Sequence, residues 1–358
     1  MKRSSAVLLA LLALPLSLPA QNGDGRWRIE EVAPGVYAAL QPEALRFNDS
    51  NSAVLIGESD VIVVDAQADG PSVETLIGEI RRLTDLPVRY VVNTHWHGDH
   101  TQGNTVYRAA FGDTVSFVAH ETVPADVATR ARSALDEEIS RLREVIPRAE
   151  EQLVSGLRLN GEPMTAEMKV QQSAAIEEAK ARLGRLETTE LLVPEVTFAQ
   201  RLTLARGRYV VELIHRPGHT RGDTVVYLPR EKVLITGDLL DDLPYGGHGD
   251  LGPWIETLDW MAELDFEVLI PGHGRVRRGD EARRQLALVR ELLTTIADGV
   301  AAAVEVGLDL AATQARIDTQ SLRQRLAGSD ELAGRAFDDF VPATIARAHE
   351  LATAVDRE

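Results

Sequence analysis

The chain has 358 residues, and its 55 acidic against 38 basic side chains give a formal charge of -17, a surface that repels nucleic acid and anionic membranes and disfavours a nuclease. There is no cysteine, which excludes disulfides, thiolate metal ligands and cysteine nucleophiles. A composition of 44% hydrophobic and 26% charged residues supports a sizeable core, in one large domain or two ordinary ones.

Residues 1–20 read as an export signal. Lys2 and Arg3 give a positive start, residues 6–14 are an unbroken apolar run, and residues 15–20 supply breakers and a small residue before Gln21. The run is too short to span a bilayer comfortably, so the mature chain is expected in the periplasm or outside the cell. An opening hairpin follows: Trp27 and Ile29 alternate with charged residues, and Val36, Ala38 and Leu40 continue beyond a Pro34-Gly35 turn. Strands are then expected at 53–56 and Val61–Val64, the second ending in Asp65, with a helix at 72–83 carrying Val73, Leu76, Ile77 and Ile80 on one face. The apolar run Val88–Val92 reads as a buried strand.

Residues 124–187 are rich in Ala, Glu, Arg and Leu and show no strand pattern. Leu135, Ile139, Leu142, Ile146, Ala149 and Leu153 make one helical stripe, which Pro147 should kink or restart, and Ile176, Ala179, Leu183 and Leu186 mark a second helix. A helical hairpin inserted in the main domain is expected, as structural cover, an active-site lid or a surface for a homo-oligomer. Beyond it the earlier pattern returns. Strands at 209–214, 225–228 and Val233–Ile235 lead to Gly237-Asp238, a helix carries Trp254, Ile255, Leu258 and Met261, and the strand Val268–Ile270 delivers Pro271-Gly272-His273-Gly274. Each half thus reads hairpin, Asp, helix, strand, His, as expected of a duplicated β/α unit with its strand ends facing across a cleft. Residues 281–358 form a helical extension, with stripes at Leu286, Val289, Leu292, Leu293, Ile296 and Val300 and at 343–355. His349 there is an ordinary packing residue.

The chemistry gathers where strands run out. Thr94-His95-Trp96-His97-Gly98-Asp99-His100 follows the strand Val88–Val92, and imidazole and carboxylate are the ligands that zinc and related divalent metals prefer. Four candidate ligands in one segment exceed the needs of one tetrahedral ion and suggest two adjacent metals. His219, in Arg216-Pro217-Gly218-His219-Thr220, Asp238 and His273, each beside a glycine that lets the backbone bend, bring the set to seven. His120 and His215 read as structural. In the loop 241–250, Tyr245 and His248 are candidates for substrate contact.

In this order the motifs His-x-His-x-Asp-His, Gly-His-Thr, Gly-Asp and Pro-Gly-His-Gly resemble those of the metallo-β-lactamase superfamily, over roughly residues 27–278. The resemblance implies an α/β fold, a four-layer αβ/βα sandwich, here with the helical-hairpin insertion and the helical C-terminal extension. It implies that His95, His97 and His219 hold one zinc, that Asp99, His100 and His273 hold a second, and that Asp238 bridges both; iron or manganese are the alternative metals. Water activated between the ions would attack a small-molecule substrate, with Asp99 orienting it and shuttling its proton. Asp65 either braces a ligand histidine or simply caps its turn.

An aspartate at position 238 excludes the β-lactamases that use cysteine there, and is similar to glyoxalase II and lactonases. Leu239-Leu240-Asp241-Asp242 replaces the lysine that usually follows and is expected to repel a drug carboxylate. The function expected is a secreted dinuclear zinc hydrolase of an ester, lactone or amide-like carbonyl. The alternatives are a genuine β-lactamase, a mono-iron oxidoreductase similar to persulfide dioxygenases, and a non-catalytic, metal-stabilised binding module.

Overall fold

Mixed apolar and charged residues open the first sheet as the expected hairpin, and near-continuous apolar runs carry it on. The structure, a computed structural model, describes residues 27–355 except Asp69 and Leu159, so the export signal expected at residues 1–20 lies outside the described residues. Strands β1 (Arg28–Ala33) and β2 (Val36–Leu40) pair antiparallel across Pro34-Gly35, with Gly35 at φ +72°. β3 (Ser52–Ile56), β4 (Val61–Val64), β5 (Val88–Val92), β6 (Ser116–His120) and β7 (Val196–Phe198) complete a sheet in sequence order. Pairing is antiparallel from β1 to β4 and parallel from β4 to β7. Parallel neighbours need crossovers, and the helices Gly70–Leu83 and Asn104–Phe111 lie in the first two.

The second sheet holds β8 (Arg201–Arg206), β9 (Tyr209–His215), β10 (Thr224–Leu228), β11 (Val233–Ile235), β12 (Val268–Ile270) and β13 (Arg277–Arg278). The repeat expected from sequence is present in the wiring. β3 and β4 pair antiparallel, and β4 runs parallel to β5 after the helix Gly70–Leu83; β10 and β11 pair antiparallel, and β11 runs parallel to β12 after the helix Leu251–Glu263.

Four layers result. Leu40, Leu55, Val64 and Val118 of the first sheet meet Val211, Leu213, Val226 and Ile235 of the second in the central core. The far side of the first sheet, with Val63, Val91 and Phe117, is covered by Val73, Leu76, Ile80 and Tyr107. The far side of the second, with Val225, Leu234 and Leu269, is covered by Trp254, Leu258 and Met261 and by Val289, Ile296 and Phe337 from the C-terminal helices. Burial on both faces explains why these strands are apolar runs rather than strict alternations. The expected αβ/βα sandwich is therefore observed.

The helical extension departs from expectation in detail. The last helix is Glu331–Val355 and contains Pro342, so it begins well before residue 343, and two short helices, Leu310–Arg316 and Gln320–Leu326, precede it. The chain divides into two compact units, one of which contains residues 129–190. Within that unit the helices Arg132–Ser155 and Ala166–Glu187 run antiparallel, since Arg143 pairs with Glu187 at 2.8 Å, Lys180 with Glu150 at 2.8 Å, and Gln172 Nε2 donates to Ala149 O at 2.8 Å. Pro147 neither ends nor restarts its helix: one hydrogen bond is lost, while buried Val145, Ile146 and Ala149 hold the turns on either side. No helix among the described residues is long and apolar enough to cross a membrane.

Two glycines give opposite predictions. A Cβ on Gly103 would overlap the Ala66 carbonyl oxygen, whereas a Cβ on Gly184 meets nothing within 4 Å. Gly103→Ala should lower the unfolding free energy by ~1–3 kcal/mol. Gly184→Ala, within the helix Ala166–Glu187, should raise it by ~0.5–1 kcal/mol. Urea midpoints at unchanged slope check both signs.

Candidate metal centre

Each candidate ligand sits where a strand stops and the backbone is pinned. After β5, Asn93 N donates to Val118 O at 2.9 Å and its Nδ2 to His100 O at 2.6 Å, which folds the His-rich loop back on itself. Asp65, at φ +65° after β4, accepts from Thr94 N at 2.8 Å and Thr94 Oγ1 at 2.9 Å, and its Oδ2 lies 2.9 Å from His100 Nδ1. It therefore both caps the turn and touches a candidate ligand. His219 is held by a turn in which Asp223 accepts from Thr220 N at 2.7 Å and Thr220 Oγ1 at 2.6 Å. Asp238 lies in a short 3-10 turn (Gly237–Leu240) beside Gly272, where a Cβ would overlap its carboxylate. His273 N donates to Asp241 Oδ1 at 2.8 Å.

All seven residues singled out by sequence come together, in one group that contains Asp238 and a second that adjoins it, and Asp241 forms a further group with Asp238 and His273. Ligand-type atoms of His95, His97, His219 and Asp238 lie within 4.8 Å of one another, as do those of Asp99, His100 and His273. Asp238 Oδ2 is 3.4 Å from His219 Nε2, 3.7 Å from His95 Nε2 and 3.5 Å from His273 Nε2, while its Oδ1 is 3.1 Å from His100 Nε2. Asp99 Oδ2 is 3.0 Å from His273 Nε2 and 3.4 Å from His100 Nε2.

The outward ring nitrogens are engaged. His219 Nδ1 lies 2.8 Å from Tyr245 O, His273 Nδ1 3.1 Å from Arg46 O, His95 Nδ1 3.1 Å from Thr94 Oγ1 and His97 Nε2 2.8 Å from His248 Nδ1. The inward atoms contrast with them. Among the described residues His95 Nε2 is buried without a hydrogen-bond partner, a cost of about 1–3 kcal/mol unless something else meets it, and His100 Nε2 and Asp238 Oδ1 are buried facing each other at 3.1 Å with no well-aligned hydrogen bond. Borderline nitrogen and oxygen donors, oriented from behind and open toward a common space, fit divalent cations.

Electrostatics agree with that fit. Burial, with neighbouring imidazoles, holds His95 and His97 well below the usual histidine range, in the neutral form that binds metal. Burial opposes charge on Asp99 and Asp238, but nearby His100 and His273 outweigh it and keep both carboxylates well below their usual range. Burial likewise opposes a proton on His100 and His273, yet the aspartates facing them raise both well above the ordinary value. These carboxylates demand positive charge close by, which protons or a cation can supply.

The structure corrects one expectation and adds residues. The strip 239–242 does not face a substrate as a repelling wall. Leu239 and Leu240 are buried, Asp241 is buried beneath His273 with burial raising its pKa, and Asp242 pairs with Arg277 at 2.6 Å. The segment 46–51 drew no notice in the sequence, yet Arg46 O meets His273, Ser50 Oγ donates to Asp99 O at 2.5 Å and Asn51 Nδ2 donates to Pro271 O at 3.1 Å. No local pattern marks it, because these three contacts with the site are more than 40 residues away. Tyr245 is half-buried beside His219, and His248 is exposed beside His97. His120 and His215 lie outside both groups, their rings stacked at 3.6 Å.

The Metallo-beta-lactamase superfamily model matches residues 45–273, more than half of the chain, and the chain belongs to that superfamily. A linear primary-alkylsulfatase of Pseudomonas sp. (strain ATCC 19151) is 24% identical over 250 residues, which are 66% of this chain and 44% of the relative. The structure of a metallo-beta-lactamase from Pontibacter korlensis is similar with a TM-score of 0.51 at 18% identity, covering 74% of this chain and 99% of that one. That of the stereoselective inverting sec-alkylsulfatase Pisa1 from Pseudomonas sp. has a TM-score of 0.59 at 19% identity, covering 90% of this chain and 49% of that one. The chain thus spans about half the length of the alkylsulfatases it matches.

Asp65→Asn should weaken divalent-metal binding, with zinc as the probe, by about 10–100-fold in competition with a chromophoric chelator, since it disturbs a bracket behind His100. His349→Ala, whose imidazole meets only the Leu308 carbonyl among these contacts, should bind as the wild type does. Equal affinity in both variants would remove Asp65 from the site.

Proposed function

We propose that this member of the superfamily is a divalent-metal-dependent hydrolase of ester-type bonds with two cation positions, zinc being the first metal to test and iron or manganese the alternatives. One observation carries the proposal: seven ligand-type side chains from separate strand ends converge in two groups, and the Asp238 carboxylate of the first lies 3.1 Å from His100 and 3.5 Å from His273 of the second. His95, His97 and His219 would hold one cation, Asp99, His100 and His273 the other, and Asp238 both. When bound, such a pair supplies Lewis-acid polarisation of the scissile bond and a water of lowered pKa.

The chain's own residues supply the rest. Asp99 is kept ionised and mostly buried at the edge of the cluster, with 22% of its side chain exposed, so its carboxylate can accept a proton from water and return it to the departing group. Ser50, donating to the Asp99 carbonyl, and His273, 3.0 Å from its carboxylate, fix the reach of that side chain. Neutral His95 and His97 add no charge of their own and leave a bound cation electrophilic.

Among esters, alkyl sulfates are the first reading. It is supported by the alkylsulfatase names of the relatives, and by a likeness to the sec-alkylsulfatase that extends over 90% of the chain, against 74% for the lactamase. Carbonyl esters, lactones and amide-like substrates are the second reading, supported by an aspartate rather than a cysteine at position 238.

Metal-loaded protein should turn over one of a medium-chain alkyl sulfate, an aryl ester, a lactone and a chromogenic cephalosporin. His97→Ala should lower that rate by about a hundredfold or more, as loss of several kcal/mol of charge stabilisation requires. Inertness to every substrate, or full activity in His97→Ala, would overturn the proposal and favour a non-catalytic role. Export is part of the same proposal. The intact mass of protein recovered from an expressing bacterium should lack residues 1–20, and a full-length chain confined to the cytoplasm would refute it.

A further inference from the structure

His97 is the one candidate ligand whose outward nitrogen meets an exposed side chain: its Nε2 lies 2.8 Å from His248 Nδ1, in a loop otherwise made of glycine. We propose that His248 is a positioning residue, which fixes the tautomer and orientation of His97 for cation binding, and that the turn 246–249 is shaped to hold it there. The proposal rests on the two-cation reading above.

The proton count sets the direction of this contact. His97 Nδ1 is the ring atom turned into the cluster, 3.0 Å from His219 Nε2. A neutral imidazole carries one N–H, so a lone pair at Nδ1 places the proton on Nε2. With a cation taking the lone pairs of His97 Nδ1 and His219 Nε2, which face each other at 3.0 Å, His97 Nε2 would donate and His248 Nδ1 would accept, leaving the His248 proton on its own Nε2. The wrong tautomer of either ring would set two N–H groups, or two lone pairs, against each other at 2.8 Å.

The loop is built closely around this contact. A Cβ on Gly246 would meet Thr344, one on Gly247 would meet the Tyr245 ring, and one on Gly249 would meet the Gly218 carbonyl and Trp254. Gly246 N donates to Thr344 Oγ1 at 2.9 Å and Asp250 N to Gly218 O at 2.9 Å, so the turn is tied at both ends. Buried Trp96 supports the pair from the other side, its ring centroid 5.2 Å from that of His248 and 4.3 Å from that of His97. Side chains at 246 and 249 would crowd Thr344 and the Gly218 carbonyl, one at 247 would displace the Tyr245 ring, and the one residue with a large ring lands on His97.

Zinc affinity of the purified full chain tests this by chelator competition in the wild type, His248→Ala and His248→Asn, with unfolding of the metal-free proteins measured alongside. The Asn Oδ1 reproduces the acceptor position of Nδ1. The expected result is binding about 10–100-fold weaker for one of two ions in His248→Ala, near-wild-type affinity in His248→Asn, and the same metal-free unfolding midpoint in all three. His248→Ala binding both ions like the wild type would overturn the positioning role. His248→Asn as weak as His248→Ala would overturn the acceptor role. A wild type that takes up no divalent ion would instead overturn the functional reading, and this assignment with it.

Discussion

Burial of the Asp238 carboxylate is the constraint on which the rest depends. At 7% exposure an isolated carboxylate would cost several kcal/mol, and only the four imidazoles within 3.7 Å make its ionised form tolerable. Those imidazoles come from the end of β5, the turn between β9 and β10, and the end of β12. Satisfying one charge therefore requires both β/α halves to be in register. The backbone makes the same connection: Thr224 N donates to Thr94 O at 2.8 Å and Asn51 N to Gly272 O at 2.7 Å. Fold and site are one problem here, because the strand ends that close the sandwich also deliver the charges that must be paired.

Around this centre the protein fixes its rings mainly with groups that cannot move far. Backbone carbonyls of Tyr245 and Arg46 meet His219 and His273, and a carboxylate anchored on Thr94 meets His100. The C-terminal helices carry no candidate ligand yet bear on both flanks of the site. Asp330 pairs with Arg46, and Thr344 accepts from Gly246. A segment that reads in sequence as an appendage thus supports the loops behind three of the candidate ligands.

Legibility followed the range of the forces involved. Buried strands and amphipathic helices are local patterns, so β3 to β5, β10 to β12 and the helix Gly279–Glu305 were visible in the order of residues. The convergence of His95, His219, Asp238 and His273 was visible because each follows an apolar run and adjoins a tight turn. Pro147 does not restart its helix as expected, because buried Val145, Ile146 and Ala149 on both sides outweigh one missing hydrogen bond. Asp241 and Asp242 misled because charge alone suggested a solvent-facing strip, while their partners, His273 N and Arg277, stand more than 30 residues away. Residues 46–51 left no trace in the sequence, since their contribution is largely backbone carbonyls and short side chains placed by tertiary contact.

The claim that two groups of ligands share Asp238 is tested most directly by counting divalent ions per chain in protein incubated with zinc and freed of excess by gel filtration. The account predicts two ions in the wild type and fewer than two in Asp238→Ala. A wild-type chain that retains none, or an Asp238→Ala chain that still retains two, would contradict it.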